Sequence, residues 1–193
     1  MSDPRLFVAL PVVPEVRAAV DEAVTPIRAG GDRVAWTHPD GWHVTLAFLG
    51  TVHASRVDEV VEVAGAAVRS VAAAGALGAS LVLLQVGTPG TFGDRVAWLR
   101  VDDEPAGAVA ALGSAVQQAL AAADLPVDRK PVRPHLTLAR GRRRLPGGFV
   151  DRLPTVDASW SVDRAVLVAS ILGKGPARYE EVASLPFAAT WSS

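Results

Sequence analysis

His43-Val44-Thr45-Leu46-Ala47-Phe48 and His135-Leu136-Thr137-Leu138-Ala139-Arg140 are two near copies of one segment. A histidine two residues before a threonine, inside an apolar run of β-forming type, puts the imidazole and the hydroxyl on one face of a strand. Val44/Leu46 and Leu136/Leu138 then fill the opposite face. Two such strands can line one cleft. With one imidazole protonated and the other neutral, that cleft would carry an acid and a base for chemistry on a phosphate ester, with no metal required.

Outward from these segments, one order of elements occurs twice. Arg5 to Leu10 reads as a strand and Pro14 to Arg28 as an amphipathic helix, with Val16, Val20, Ala23, Val24 and Ile27 on one stripe, before the first histidine strand. Arg95 to Val101 reads as a strand and Ala106 to Ala123 as a helix carrying Val109, Leu112, Val116 and Leu120. A proline-punctuated connection, Asp124 to Pro134, then leads into the second histidine strand. The spans are comparable, 38 positions from Arg5 to His43 and 40 from Arg95 to His135. Between the copies, Ser55 is placed as the N-cap of a helix to about Ala74, Ser80 to Val86 as a buried strand, and Gly87 to Gly93 as a loop. Asp163 to Leu172 and Arg178 to Leu185 close the chain as paired strands around Gly173-Lys174-Gly175-Pro176. The expected fold is α+β: two pseudo-symmetric, intertwined lobes with mostly antiparallel sheets flanked by helices, and an active-site groove between them. With no long linker, residues 1–193 are expected to form a single domain.

Half of the 193 residues are hydrophobic, enough for one good core or two small lobes sharing an interface. The absence of cysteine excludes disulfides, cysteine-ligated zinc and thiol nucleophiles, and suits a reducing cytoplasm, the expected location. The apolar run Leu6 to Val13 is broken by Pro11 and preceded by Asp3 and Arg5, unlike a signal peptide, and no run is long enough to cross a bilayer. Formal charge is −1, yet Arg129, Lys130, Arg133, Arg140, Arg142, Arg143 and Arg144 fall within sixteen residues that contain no acid. Such a run is ordinarily a solvated loop. Beside a histidine strand it can also attract phosphates.

Residues i and i+2 of a strand lie roughly 6.5 to 7 Å apart. This lets a threonine hydroxyl hold a non-bridging oxygen while the neighbouring imidazole reaches a bridging oxygen or a water. A single His-x-Thr is weak evidence. Two of only four histidines share the pattern at equivalent points of a repeat, whereas His38 and His53 have no such context and read as surface residues. Gly87, Gly90 and Gly93 precede a strand rather than open a helix, against a phosphate-binding loop. Trp42 and Phe92 could rim the groove, but such residues more often pack.

These segments, with Leu49-Gly50 after the first, resemble the two-histidine (2H) phosphoesterase superfamily, and within it the LigT-type RNA 2′,3′-cyclic phosphodiesterases, historically called 2′-5′ RNA ligases. The likeness runs over the whole chain: Arg5-Leu6-Phe7-Val8-Ala9-Leu10, Trp42 to Gly50, Val96-Ala97-Trp98-Leu99, Arg133 to Arg140, and Ser170 with Tyr179. The resemblance implies metal-independent hydrolysis of a terminal 2′,3′-cyclic phosphate to a 2′-phosphate, with no cofactor, on RNA 3′ ends or small cyclic nucleotides. His43 would be general acid toward O3′, His135 general base toward water, and Thr45 and Thr137 would hold the phosphate. From the residues alone the two histidine roles could be exchanged. The reverse reaction would be 2′-5′ ligation. The resemblance also sets Phe48 and Arg140 as a sandwich for a nucleobase, although strict alternation turns both from the His/Thr face and competes with Phe48 as plain core. Ser170 and Tyr179 are given no catalytic role.

Two other classes remain open from the sequence. One is an RNA-end-binding module without turnover, for which a matched acid and base is more than binding needs. The other is a metallohydrolase, for which the chain offers no His-x-His or His-x-x-x-His spacing. A monomer without membrane partners is expected.

Overall fold

The computed structural model describes residues 3–75, 77, 82–171 and 178–188. In chain order the elements are β1 (Arg5–Pro11), α1 (Pro14–Ala29), β2 (Val34–Trp36), β3 (His43–Thr51), α2 (Val57–Ala73), β4 (Val82–Phe92), β5 (Val96–Glu104), α3 (Ala108–Ala122), β6 (His135–Gly141), β7 (Ala158–Val162), β8 (Arg164–Ile171) and β9 (Arg178–Pro186). They build two sheets, ordered β3-β1-β8-β9 and β2-β6-β5-β4-β7, and every pairing in both is antiparallel. The α+β class and the duplication are borne out: β3 lies beside β1 as β6 lies beside β5.

The halves are intertwined through their helices. Helix α1 opens on Pro14, whose fixed φ suits the first helical turn, and buries Val16, Val20 and Val24, one per turn. It follows β1 of the first sheet but packs against β7 of the second, where the Trp160 indole N–H donates to the Pro11 carbonyl at 2.8 Å. Helix α3 follows β5 of the second sheet but packs against β3 of the first, beside α2. One continuous apolar core runs beneath both sheets, from Leu6, Val8 and Leu10 on β1 to Leu136 and Leu138 on β6.

Several local expectations need correction. Gly87 to Gly93 is not a loop, because β4 runs on to Phe92, with a register shift between Val86 and Pro89, and only Gly93 to Arg95 turns. Gly90 is required there: a Cβ at this position would collide with the Trp98 ring lying across it. Ser55 does not cap α2. It sits in a 3-10 turn, Ala54–Arg56, led by His53, whose Nδ1 accepts from the Ser55 N–H at 3.3 Å. The short strands β2 and β7 add to the elements expected from the sequence. Ser80, Leu172 and the Gly173 to Pro176 turn lie outside the described residues.

The feature that shapes the site is a pair of bulges. In β3, Thr45 pairs with Ala9 and Ala47 with Val8, leaving Leu46 without a partner. In β6, Thr137 pairs with Trp98 and Ala139 with Ala97, leaving Leu138 without one. An extra residue frees a carbonyl that the buried strand must satisfy elsewhere. The Leu138 carbonyl accepts from the Thr37 N–H at 2.8 Å, and the Leu46 carbonyl from Gln117 Nε2 of α3 at 2.9 Å. Gln117 is buried and also donates to the Lys130 carbonyl at 3.2 Å. Gln117→Leu keeps the volume but orphans both carbonyls, and is expected to lower the unfolding free energy by about 1–3 kcal/mol in urea denaturation. Gly113→Ala should also destabilise, against its helix preference, because the new Cβ meets Val132 and the Leu46 carbonyl.

Candidate active site

Strict alternation would bury Phe48 and Arg140. Each bulge resets the parity by one residue, so Phe48 joins His43 and Thr45 on one face of β3, and Arg140 joins His135 and Thr137 on one face of β6. The six positions from each histidine share one burial pattern: Val44, Leu46 and Ala47, like Leu136, Leu138 and Ala139, are buried, while Phe48 and Arg140 are exposed. Phe48 is 39% exposed, which decides against a core role.

All six expected site residues line one cavity of about 360 Å³. Arg5, Phe7, Thr37, Gly41, Ser170 and Tyr179 join them there. Arg5 and Phe7 follow from strand parity, since they share a face of β1 at i and i+2. Thr37 carries no local signal; the sequence does not show that its neighbour β2 pairs with β6. The floor on the first-sheet side is a small cluster of Phe7, Ala9, Val166 and Val168 with Tyr179 against it.

The two imidazoles are held alike. His43 Nδ1–H donates to the Gly41 carbonyl at 2.8 Å and His135 Nδ1–H to the Arg133 carbonyl at 2.6 Å, each two residues upstream. This fixes one tautomer and leaves Nε2 for the cavity. The His43 ring lies 4.5 Å from Phe7 and 5.2 Å from the edge-on Tyr179, and the His135 ring 4.7 Å from the edge-on Phe92. Phe92 therefore does border the site, whereas Trp42 is buried in the core. His38 and His53 are exposed turn residues, as expected, and both cap 3-10 turns.

Burial pushes the His43 pKa down from 6.5 to about 4. The Gly41 carbonyl opposes this, and the facing His135 and the Arg140 guanidinium add to it. Burial also lowers His135, against the Arg133 carbonyl and with Arg140. Burial and the Arg140 charge thus disfavour the protonated form of both rings in the empty site, and a bound anion would favour it. Arg140 has no carboxylate within salt-bridge distance among the described residues, and no carboxylate lines the cavity. The guanidinium over the Phe48 ring is that of Arg5, 5.5 Å from its centroid.

Residues 13–173 match the 2′-5′ RNA ligase superfamily. The chain belongs to that superfamily. A relative described as an RNA 2′,3′-cyclic phosphodiesterase, from Geobacillus stearothermophilus, is 30% identical over 187 residues; the match takes in 93% of this chain and 56% of the relative, so the chain spans little more than half its length. Among solved structures, the TT0787 protein of Thermus thermophilus superposes with a TM-score of 0.75 at 26% identity, covering 95% of this chain and 97% of that one. Escherichia coli LigT complexed with 3′-AMP superposes with a TM-score of 0.71 at 21% identity, covering 96% and 98%, and shares the fold. The superfamily is the one whose motif the paired histidine strands resemble. No helix among the described residues is long and apolar enough to cross a membrane.

The depressed His43 sets a pH dependence with a definite sign. The unfolded imidazole binds its proton near pH 6.5 and the folded one near 4, so the unfolded chain holds the extra proton between them. Stability contributed by His43 is present above pH 6.5 and falls by about 3 kcal/mol as pH drops to 4. Urea denaturation across that window should show wild type losing more stability than His43→Asn, by about that amount.

Proposed function

We propose that the protein hydrolyses 2′,3′-cyclic phosphates at RNA 3′ ends, or in small cyclic nucleotides, to 2′-phosphates by metal-independent acid–base catalysis, with reversible 2′-5′ ligation as the same attack made by a 5′-hydroxyl in place of water. The carrying observation is the pair of imidazoles, each tied by Nδ1 to a carbonyl two residues upstream, opening with two threonine hydroxyls on one cavity. Superfamily membership and the name of the Geobacillus relative support the reaction class.

Thr45 and Thr137 hydroxyls donate to the non-bridging oxygens. His135 takes a proton from the attacking water, an O–P bond forms in line, the P–O3′ bond breaks, and His43 gives its proton to O3′. Burial lowers both imidazoles in the empty site, against the carbonyl that each Nδ1–H meets. The phosphate charge is what loads His43 as the acid. Phe48 and Arg140 stack the terminal base, which takes the place Arg5 holds over Phe48. A donor set of imidazoles, hydroxyls and guanidinium, without a carboxylate along the cavity, suits proton transfer rather than metal ligation. On this reading the protein acts as a monomer and as one domain over residues 1–193, and the lack of cysteine suits a cytoplasmic protein.

The decisive experiment is phosphorus NMR of the product formed from a nucleoside 2′,3′-cyclic phosphate. The expected result is the 2′-phosphate, formed at an undiminished rate in EDTA, with each of His43→Ala and His135→Ala slower by about 10²–10⁴-fold or more. A 3′-phosphate product, chelator sensitivity, binding without turnover, or full activity in either variant overturns the reading. Because bound phosphate raises the imidazoles, the basic limb of the kcat profile should lie at higher pH than that of kcat/KM.

A further inference from the structure

The mechanism above uses Arg140 but not the arginines that follow it: Arg142 and Arg143 continue past the end of β6, and both are exposed. The fold brings two more arginines there from distant segments. Val34 of β2 pairs with Gly141, which sets the exposed Arg33 on one side of this strand end. On the other side the Arg95 carbonyl accepts from the Gly141 N–H at 2.8 Å, and the Arg95 guanidinium donates to the Arg142 carbonyl at 3.4 Å. The acids of these segments do not neutralise the cluster. Asp32 holds Arg152 at 2.7 Å and Asp94 lies 3.8 Å from Arg144. Asp151 then remains against Arg33, Arg95, Arg140, Arg142 and Arg143, none of which has an acid within salt-bridge distance among the described residues.

We propose that this patch is a docking track for the RNA strand upstream of the cyclic end, where the phosphodiesters of the nucleotides preceding the terminal one contact Arg33, Arg95 and Arg142. The inference rests on the reading of the cavity as the cyclic-phosphate site, and it makes an oligonucleotide a better substrate than a mononucleotide. On that reading the terminal base lies between Phe48 and Arg140, at the end of the strands away from the histidines. The chain that leads to it therefore arrives where the arginines cluster. Across the cavity the first sheet ends on β9, where exposed Glu180 and Glu181 outnumber Arg178, so a polyanion is disfavoured on that rim. Guanidinium groups suit phosphate oxygens through paired N–H donors. The one aromatic ring of β2, Trp36, is engaged by Phe149 and Arg28, so the patch reads backbone charge and not base sequence. Neighbouring strands lie about 4.8 Å apart, so the track from β2 to β5 is about 10 Å wide, and a short oligonucleotide covers it.

The test compares kcat/KM of the full chain for cytidine 2′,3′-cyclic phosphate and for an RNA tetranucleotide that ends in the same cyclic cytidine. The tetranucleotide should be favoured by about tenfold or more at low salt. The ratio of the two should fall as salt rises, with a log–log slope of about −0.7 for each phosphate contacted. Arg33→Glu and Arg142→Glu, both outside the cavity lining, should each lower the ratio by about fivefold or more while mononucleotide hydrolysis keeps the wild-type rate. Arg69→Glu makes the same charge change on α2, which packs against α3 and β9, and should leave the ratio unchanged. That variant separates contact at the patch from the effect of net charge. Equal kcat/KM for the two substrates, a ratio that either patch variant leaves unchanged, or an equal loss in Arg69→Glu overturns the track and leaves the hydrolytic reading standing. Hydrolysis of neither substrate overturns both proposals.

Discussion

One extra residue in each of two strands sets the geometry of this protein. Without Leu46 and Leu138 as unpaired insertions, the period-2 rule would point Phe48 and Arg140 into the core behind the histidines. A phenylalanine tolerates that. A guanidinium with no partner does not, because burying an unpaired charge is costly. The bulge in β6 is thus coupled to the identity of residue 140, and the matching bulge in β3 places an exposed aromatic ring at the equivalent point.

A bulge holds only if the carbonyl it frees finds a donor, and here the two halves answer differently. The second sheet uses a backbone donor, Thr37 N–H, supplied by the segment that follows the short strand β2. The first sheet uses a side chain, Gln117, from the helix that crosses over from the other half of the repeat. That crossing is possible because Gly113 lets α3 lie close against the Leu46 carbonyl. The intertwining of the lobes is therefore part of the site: the helix of one copy secures the bulge of the other.

The duplicated strand-helix-strand plan and the shared His/Thr face of the cavity are legible in the sequence because both rest on periodicity and on repeated residue types. What depends on partners far along the chain is hidden there. Gly87-Thr88-Pro89-Gly90 has loop composition, yet it stays in β4 because Gly90 makes room for the Trp98 ring across the ladder. Ser55 is a good N-cap by type, but His53 leads the turn and takes its N–H. In Ala158-Ser159-Trp160-Ser161-Val162 the alternation is present, with Trp160 and Val162 buried, but five residues of it do not stand out from the surrounding loop. The three residues of β2 offer no such pattern.

The same burial that positions the histidines also makes the empty site a poor place for a cation. His43 lies among Phe7, Tyr179 and a facing imidazole, and Arg140 supplies one fixed positive charge nearby. A negative charge in the cavity would favour the proton on either ring, and under the proposed reaction the substrate phosphate would bring one. Acid strength in such a site need not be built in before binding; it arises where phosphate oxygens sit against Nε2 and is lost when they leave. Under the proposed reaction, a water beside His135 would meet an imidazole whose protonated form burial disfavours. In the proposed reaction, the order of anion first and proton second would follow from the burial of the two rings.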